Sequence, residues 1–120
     1  MALDILIVDD NKDISALLSD IVRMENHHSI VAATGNEAIS FIDSRHFDLV
    51  FCDITLPDIS GWEVVKHLSQ VASETSIVII SGLGEGEQSQ QGESYTFDMV
   101  LKKPFKIDEV QAVLRQFSPE

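Results

Sequence analysis

Apolar positions along the chain follow two rhythms. Short runs rich in β-branched residues fall at 4–8, 29–33, 48–52, 76–80 and 98–101. Ile5-Leu6-Ile7-Val8 and Ile77-Val78-Ile79-Ile80 are apolar without interruption, the pattern of a strand covered on both faces in a parallel sheet. Between the runs, Ile14, Leu17, Leu18, Ile21 and Val22 recur at helical spacing, as do Val110, Val113, Leu114 and Phe117. Asn11 or Asp13 is placed to cap the first helix, Gly35 or Asn36 to begin the second, and Pro119 to stop the last. A repeated strand–helix alternation predicts right-handed crossovers and a three-layer α/β sandwich. In such a sandwich the working crevice lies at the carboxyl ends of the strands, near a reversal of strand order.

One helix lacks its signature. Residues 84–94 contain no apolar side chain, and Gly84, Gly86 and Gly92 fall among them. Each glycine costs a helix interior about 1 kcal/mol against alanine, and no apolar face offsets that. The segment predicts a weak, short or disordered fourth helix.

Length and charge narrow the picture further. The 120 residues suit one domain spanning 1–120, and a 44% apolar fraction suffices for one core. No run of 18 apolar residues occurs, so no membrane span is expected. The chain enters its first strand at once, with no basic region or cleavage site of a signal peptide. With the single cysteine, Cys52, unable to form an internal disulfide, this suggests a cytoplasmic protein. The net charge of -12 disfavours direct nucleic-acid binding, which needs basic groups to displace counterions. Most of the acidic residues read as a solvated surface, so any cation-binding cluster must be argued position by position.

The residues that follow the strands carry the chemistry. They are Asp9 and Asp10 after the first, Asp53 after the third, Ser81 and Gly82 after the fourth, and Lys103 and Pro104 after the fifth. Three crowded carboxylates repel one another unless a cation compensates. Mg²⁺ suits such an oxygen-rich site, because one or two carboxylates plus a phosphate satisfy it. Lys103 can neutralise a further charge and reach a phosphoryl oxygen, while Ser81 can hydrogen-bond another. Asp53 is then the nucleophile toward phosphorus, yielding an acyl phosphate. Singly, each residue has a plain structural reading: a helix cap, a turn, a solvated lysine. Their coincidence at four strand ends favours a site.

Taken together, Leu6-Ile7-Val8-Asp9-Asp10-Asn11, Cys52-Asp53-Ile54-Thr55-Leu56-Pro57-Asp58-Ile59-Ser60-Gly61, Ile79-Ile80-Ser81-Gly82 and Lys102-Lys103-Pro104-Phe105 resemble the response-regulator receiver domains of two-component signalling. The stretch from Val31 to Ala38 resembles that family's second strand and helix entry, so the likeness covers essentially the whole chain. The resemblance implies a flavodoxin-like (βα)5 fold with sheet order 2-1-3-4-5. It implies that Asp53 accepts a phosphoryl group from a sensor histidine kinase or a His-containing phosphotransfer protein. Mg²⁺, or Mn²⁺, would be held by Asp10 and Asp53 directly, by Asp9 through water and by the Thr55 carbonyl. Ser81 and Lys103 would contact the phosphoryl group, and Lys103-Pro104 would be a cis peptide. Such a protein is a phosphoacceptor with self-catalysed transfer and autodephosphorylation, not a turnover enzyme on external substrates. Its output passes to a partner or to an attached effector or kinase domain, and Phe117-Ser118-Pro119-Glu120 reads equally as an end or as the start of a linker.

Two departures stand out. The family's aromatic switch residue lies three positions before the lysine, where this chain has Val100, and Tyr95 and Phe97 are out of register for it. The poor fourth helix is the second. Both imply a different readout, through ordering of residues 84–95 or through the first and last helices.

Other readings fit less well. An aspartyl phosphatase resembling the haloacid dehalogenases needs a second aspartate two positions after the nucleophile, where Thr55 stands. A flavodoxin-like flavin carrier would meet its cofactor phosphate with Asp9 and Asp10. A phosphate-independent interaction module is the remaining alternative. Cys52 is expected to be a core thiol, and Trp62 to pack near the site. His27, His28, His46 and His67 lack metal spacing and default to the surface.

Overall fold

A side-chain period of two along each strand sends alternate residues to opposite faces, and here both faces are covered. In the computed structural model, which describes residues 2–82 and 96–118, the elements run β1 (Asp4–Val8), α1 (Lys12–Met24), β2 (His28–Ala32), α2 (Gly35–Ser44), β3 (Leu49–Asp53), α3 (Gly61–Val71), β4 (Ser76–Ser81), β5 (Met99–Lys102) and α4 (Ile107–Phe117). The five strands form one sheet in the order β2-β1-β3-β4-β5, all neighbours parallel. This is the flavodoxin-like order, and four helices lie among the described residues.

Ile5, Ile7, Leu49, Phe51, Val78, Ile80 and Leu101 face one layer, where Leu18, Ile21 and Val22 of α1 and Val110, Val113 and Leu114 of α4 cover them. Leu6, Val8, Val50, Cys52, Ile77 and Ile79 face the other, against Ala38 and Ile42 of α2 and Trp62, Val64, Val65 and Leu68 of α3. The hydrophobic transfer of these side chains holds the three layers together, at roughly 1.5–3 kcal/mol for each large one.

The first helix is capped by Asn11, whose Oδ1 accepts from the N–H groups of Asp13 (2.9 Å) and Ile14 (3.2 Å). Thr34 caps α2 by accepting from the Glu37 N–H, so Gly35 is the first helical residue. Asn26, at φ 66°, turns the chain out of α1, a conformation asparagine tolerates better than most residues. Strand ends differ from the sequence expectation by a residue: β2 starts at His28, β3 includes Asp53, and β4 includes Ser81. The expected weak helix at 84–94 lies outside the described residues, as do Tyr95 and Pro119. Among the described residues no helix is long and apolar enough to cross a membrane.

Candidate functional site

The strand order reverses at β1, which pairs with β2 on one side and β3 on the other. The crevice beyond that reversal is where α/β sheets present their chemistry. Asp53 ends β3 there, with only 4% of its surface exposed. Its Oδ1 accepts the Thr55 N–H at 3.0 Å, and its Oδ2 accepts Lys103 Nζ at 2.9 Å.

Asp9 follows β1 and is held in line by its N–H, which donates to the Ala32 carbonyl at 3.1 Å. Its Oδ1 accepts the Asn11 N–H at 2.9 Å. Its Oδ2 is buried without a hydrogen bond, and Lys103 Nζ pairs with it electrostatically at 3.3 Å. Burial raises the Asp9 pKa above the ordinary carboxylate value, and the Asp53 charge adds to the rise, against the lowering effects of the Asn11 N–H and Lys103. Asp10 is exposed beside them. One oxygen from each of Asp9, Asp10 and Asp53 can be chosen so that all three lie within 4.8 Å of one another.

Lys103 reaches this cluster from the end of β5. Its N–H donates to the Ser81 carbonyl at 2.7 Å, which carries the sheet pairing one residue further, and the Lys103–Pro104 peptide is cis. Burial alone would lower the lysine pKa. The hydrogen bond and charge of Asp53, joined by the charge of Asp9, outweigh that and raise it. The ammonium is therefore a fixed positive charge between two carboxylates.

Asp9, Asp10, Asp53 and Lys103 thus converge as the sequence suggested. Ser81 ends β4 beside them, with its hydroxyl donating to the Gly82 carbonyl at 3.3 Å. Thr55 contributes its backbone N–H, and the residue is exposed. Cys52 is fully buried on the opposite face of β3, and burial drives its thiol pKa far upward, as an inert core thiol requires. Trp62 is buried under the loop after Asp53 and packs against Phe97, ring centroids 5.7 Å apart. His28 and His46 are exposed, but His27 and His67 are half-buried. His27 Nδ1 accepts the Leu3 N–H at 2.9 Å, so its place is structural.

Two features carried no sequence signal of their own. Gly61 begins α3 so close to the end of β3 that an added Cβ would lie 2.1 Å from the Asp53 carbonyl oxygen. Asp58 accepts the N–H groups of Gly35 and Asn36 at 2.8 and 2.9 Å, from an element more than twenty residues away.

A family model described as the response regulator receiver domain matches residues 5–115. The chain belongs to that family. Similar to this receiver is sporulation initiation phosphotransferase F of Bacillus subtilis (strain 168), 29% identical over 115 residues, which cover 96% of this chain and 93% of that protein. Transcriptional regulatory protein TcrA of Mycobacterium tuberculosis is 32% identical, but the match covers 95% of the receiver and only 45% of TcrA. Among solved structures, a CheY-like receiver domain protein of Methanospirillum hungatei superposes with a TM-score of 0.90 at 25% identity, covering 97% of this chain and 93% of that one. NtrX of Brucella abortus gives 0.88 at 32% identity, covering 97% of the receiver and 26% of NtrX. The receiver therefore spans well under half the length of some relatives. On its β5, Val100 pairs in register with Ile79 and is 46% exposed.

Proposed function

We propose that this receiver takes a phosphoryl group on Asp53 from a sensor histidine kinase or a His-containing phosphotransfer protein, and that the modified domain changes its interaction with an output partner or attached domain. The observation that carries this reading is the Lys103 ammonium on Asp53 Oδ2 at 2.9 Å, beside three carboxylates that can share a cation.

The donor set fits Mg²⁺ or Mn²⁺. Asp9, Asp10 and Asp53 supply hard oxygen ligands, and Asp9 Oδ2 is buried with no hydrogen bond of its own. The family resemblance adds the Thr55 carbonyl. When bound, the cation supplies charge neutralisation that lets an anionic phosphoryl group approach an anionic site.

The chain does the rest by positioning. The Thr55 N–H fixes one oxygen of Asp53 and orients the carboxylate at the strand end. An Asp53 oxygen forms the bond to phosphorus as the bond to the donor imidazole nitrogen breaks, and the imidazole leaves with the electron pair. Lys103 stabilises charge on the phosphoryl oxygens, and Ser81, freed from the Gly82 carbonyl, donates to another. Phosphoryl transfer needs mainly such placement and charge stabilisation. Thr55 holds the position where a phosphatase would carry its general acid, which supports a phosphoacceptor with self-catalysed dephosphorylation over a turnover hydrolase. The setting that goes with this reading is cytoplasmic, with residues 1–120 as one receiver unit and no direct contact to nucleic acid.

Incubation with Mg²⁺ and a small acyl phosphate, followed by intact-mass measurement, tests the proposal. One added phosphate that is lost in Asp53→Asn is the expected result. Continuous release of phosphate from esters would indicate a hydrolase instead, and no reaction at all a phosphate-independent module.

A further inference from the structure

The loop between β3 and α3, residues 54–60, carries the backbone that faces the acceptor. Near its start the Thr55 N–H donates to Asp53 Oδ1. At its end the Gly61 N–H donates to the Ile54 carbonyl at 2.7 Å, at a position with no room for a side chain. Between these ends, the loop is tied to a different element. Asp58 Oδ1 accepts the Gly35 N–H and Oδ2 the Asn36 N–H, two of the donors that the first turn of a helix leaves unpaired. Ile59 presses on the same turn, where a Cβ on Gly35 would fall 2.3 Å from Ile59 Cγ1.

The element at the other end of this tie is well anchored. Ala38 and Ile42 of α2 are buried against the sheet, and Asp43 Oδ1 lies 2.6 Å from His67 Nε2 on α3. Thr34 already caps α2 by taking the Glu37 N–H, so Asp58 is not the helix's own cap. It spans from a rigid body to the loop.

We infer that Asp58 is a positioning residue for phosphoryl transfer, holding the loop so that the Thr55 backbone stays aligned on Asp53. This rests on the function proposed above. The N–H of Asn36, and after it that of Gly35, keep the Asp58 carboxyl below its ordinary pKa, as bonding to an ionised group does. The alternative is that the carboxylate merely steadies α2 through its first turn, as acidic groups at helix starts do.

Amide hydrogen exchange and phosphorylation by a small acyl phosphate at saturating Mg²⁺ separate the two. In Asp58→Ala, the Thr55 and Gly61 amides are expected to exchange about tenfold faster and phosphorylation to slow about tenfold. Asp58→Asn, whose carbonyl can still take one N–H, should fall between, and it carries the comparison if the alanine variant does not fold. Thr34→Ala is the control: it removes the cap of α2 without touching the loop, and should leave both readouts unchanged. The inference is overturned if Asp58→Ala speeds exchange only in the first turn of α2 at an unchanged rate of phosphorylation. It is equally overturned if Thr34→Ala slows phosphorylation as much as Asp58→Ala. A wild-type chain that takes no phosphate would sink the proposed function itself, while the exchange measurement still reports whether the tie holds the loop.

Discussion

Lys103 Nζ donates to Asp53 Oδ2 across 2.9 Å, so the ammonium competes with any cation for the carboxylate that both would hold. Lys103→Met is therefore expected to bind Mg²⁺ at least as tightly as the wild type. The same variant loses the ammonium proposed to stabilise phosphoryl charge, and its phosphorylation should slow about a hundredfold. Titration calorimetry and the rate of mass gain measure the two effects separately. Weaker Mg²⁺ binding in the variant would contradict the competition.

Asp9 carries an electrostatic burden in the fold. Its folded pKa is raised above the ordinary 3.8, chiefly by burial, so the folded state holds that proton more tightly than the unfolded one. Stability on this account falls as pH rises from about 3.8 through the raised value. Asp9→Asn should then stabilise the protein in chelator at neutral pH by on the order of 1 kcal/mol. The gain should shrink as the pH is brought down toward the carboxylate range. Urea midpoints across pH, with and without Mg²⁺, give the answer, and the Asn variant should respond less to the metal.

Gly61→Ala is expected to be far more costly than an ordinary helix substitution, where alanine is favoured. The new Cβ would meet the Asp53 carbonyl oxygen and the Ile54 Cα, both backbone atoms with little freedom to move. A loss of about 3 kcal/mol, or failure to fold, is the expected outcome in chemical denaturation. A near-neutral result would mean that the loop can slide away from the strand.

Val100 sits on the outermost strand with 46% of its surface exposed. Val100→Ala should change stability by no more than about 0.5 kcal/mol and leave the phosphorylation rate as it is. A large drop in that rate would show that this position reaches the site after all.

The fold was legible because the three inner strands, β1, β3 and β4, are buried on both faces. Ile5 to Val8 and Ile77 to Ile80 read as continuous apolar runs for the same reason that they pack two layers. The site was legible because its groups lie at the ends of the strands that aim them: Asp53 and Ser81 close β3 and β4, and Asp9 and Lys103 come just after β1 and β5. Asp58 was not, since its partners lie 22 and 23 residues away and nothing in a Pro-Asp pair names a distant helix. Which of Asn11 and Asp13 would cap α1 also stayed open, because both are good caps and only the chain's exit from β1 decides between them. His27 was misjudged for a related reason. An imidazole that takes the N–H of Leu3 looks in the sequence like any surface histidine.

Lys103 reaches Asp53 across 50 residues of chain, and Asp9 stands at the far end of the same arrangement. No fragment that stops before β5 contains the cation, and none that starts after β1 contains the first carboxylates. On the function proposed, a fragment without β5 keeps Asp53 but lacks the Lys103 ammonium beside it, and is expected to take up no phosphoryl group.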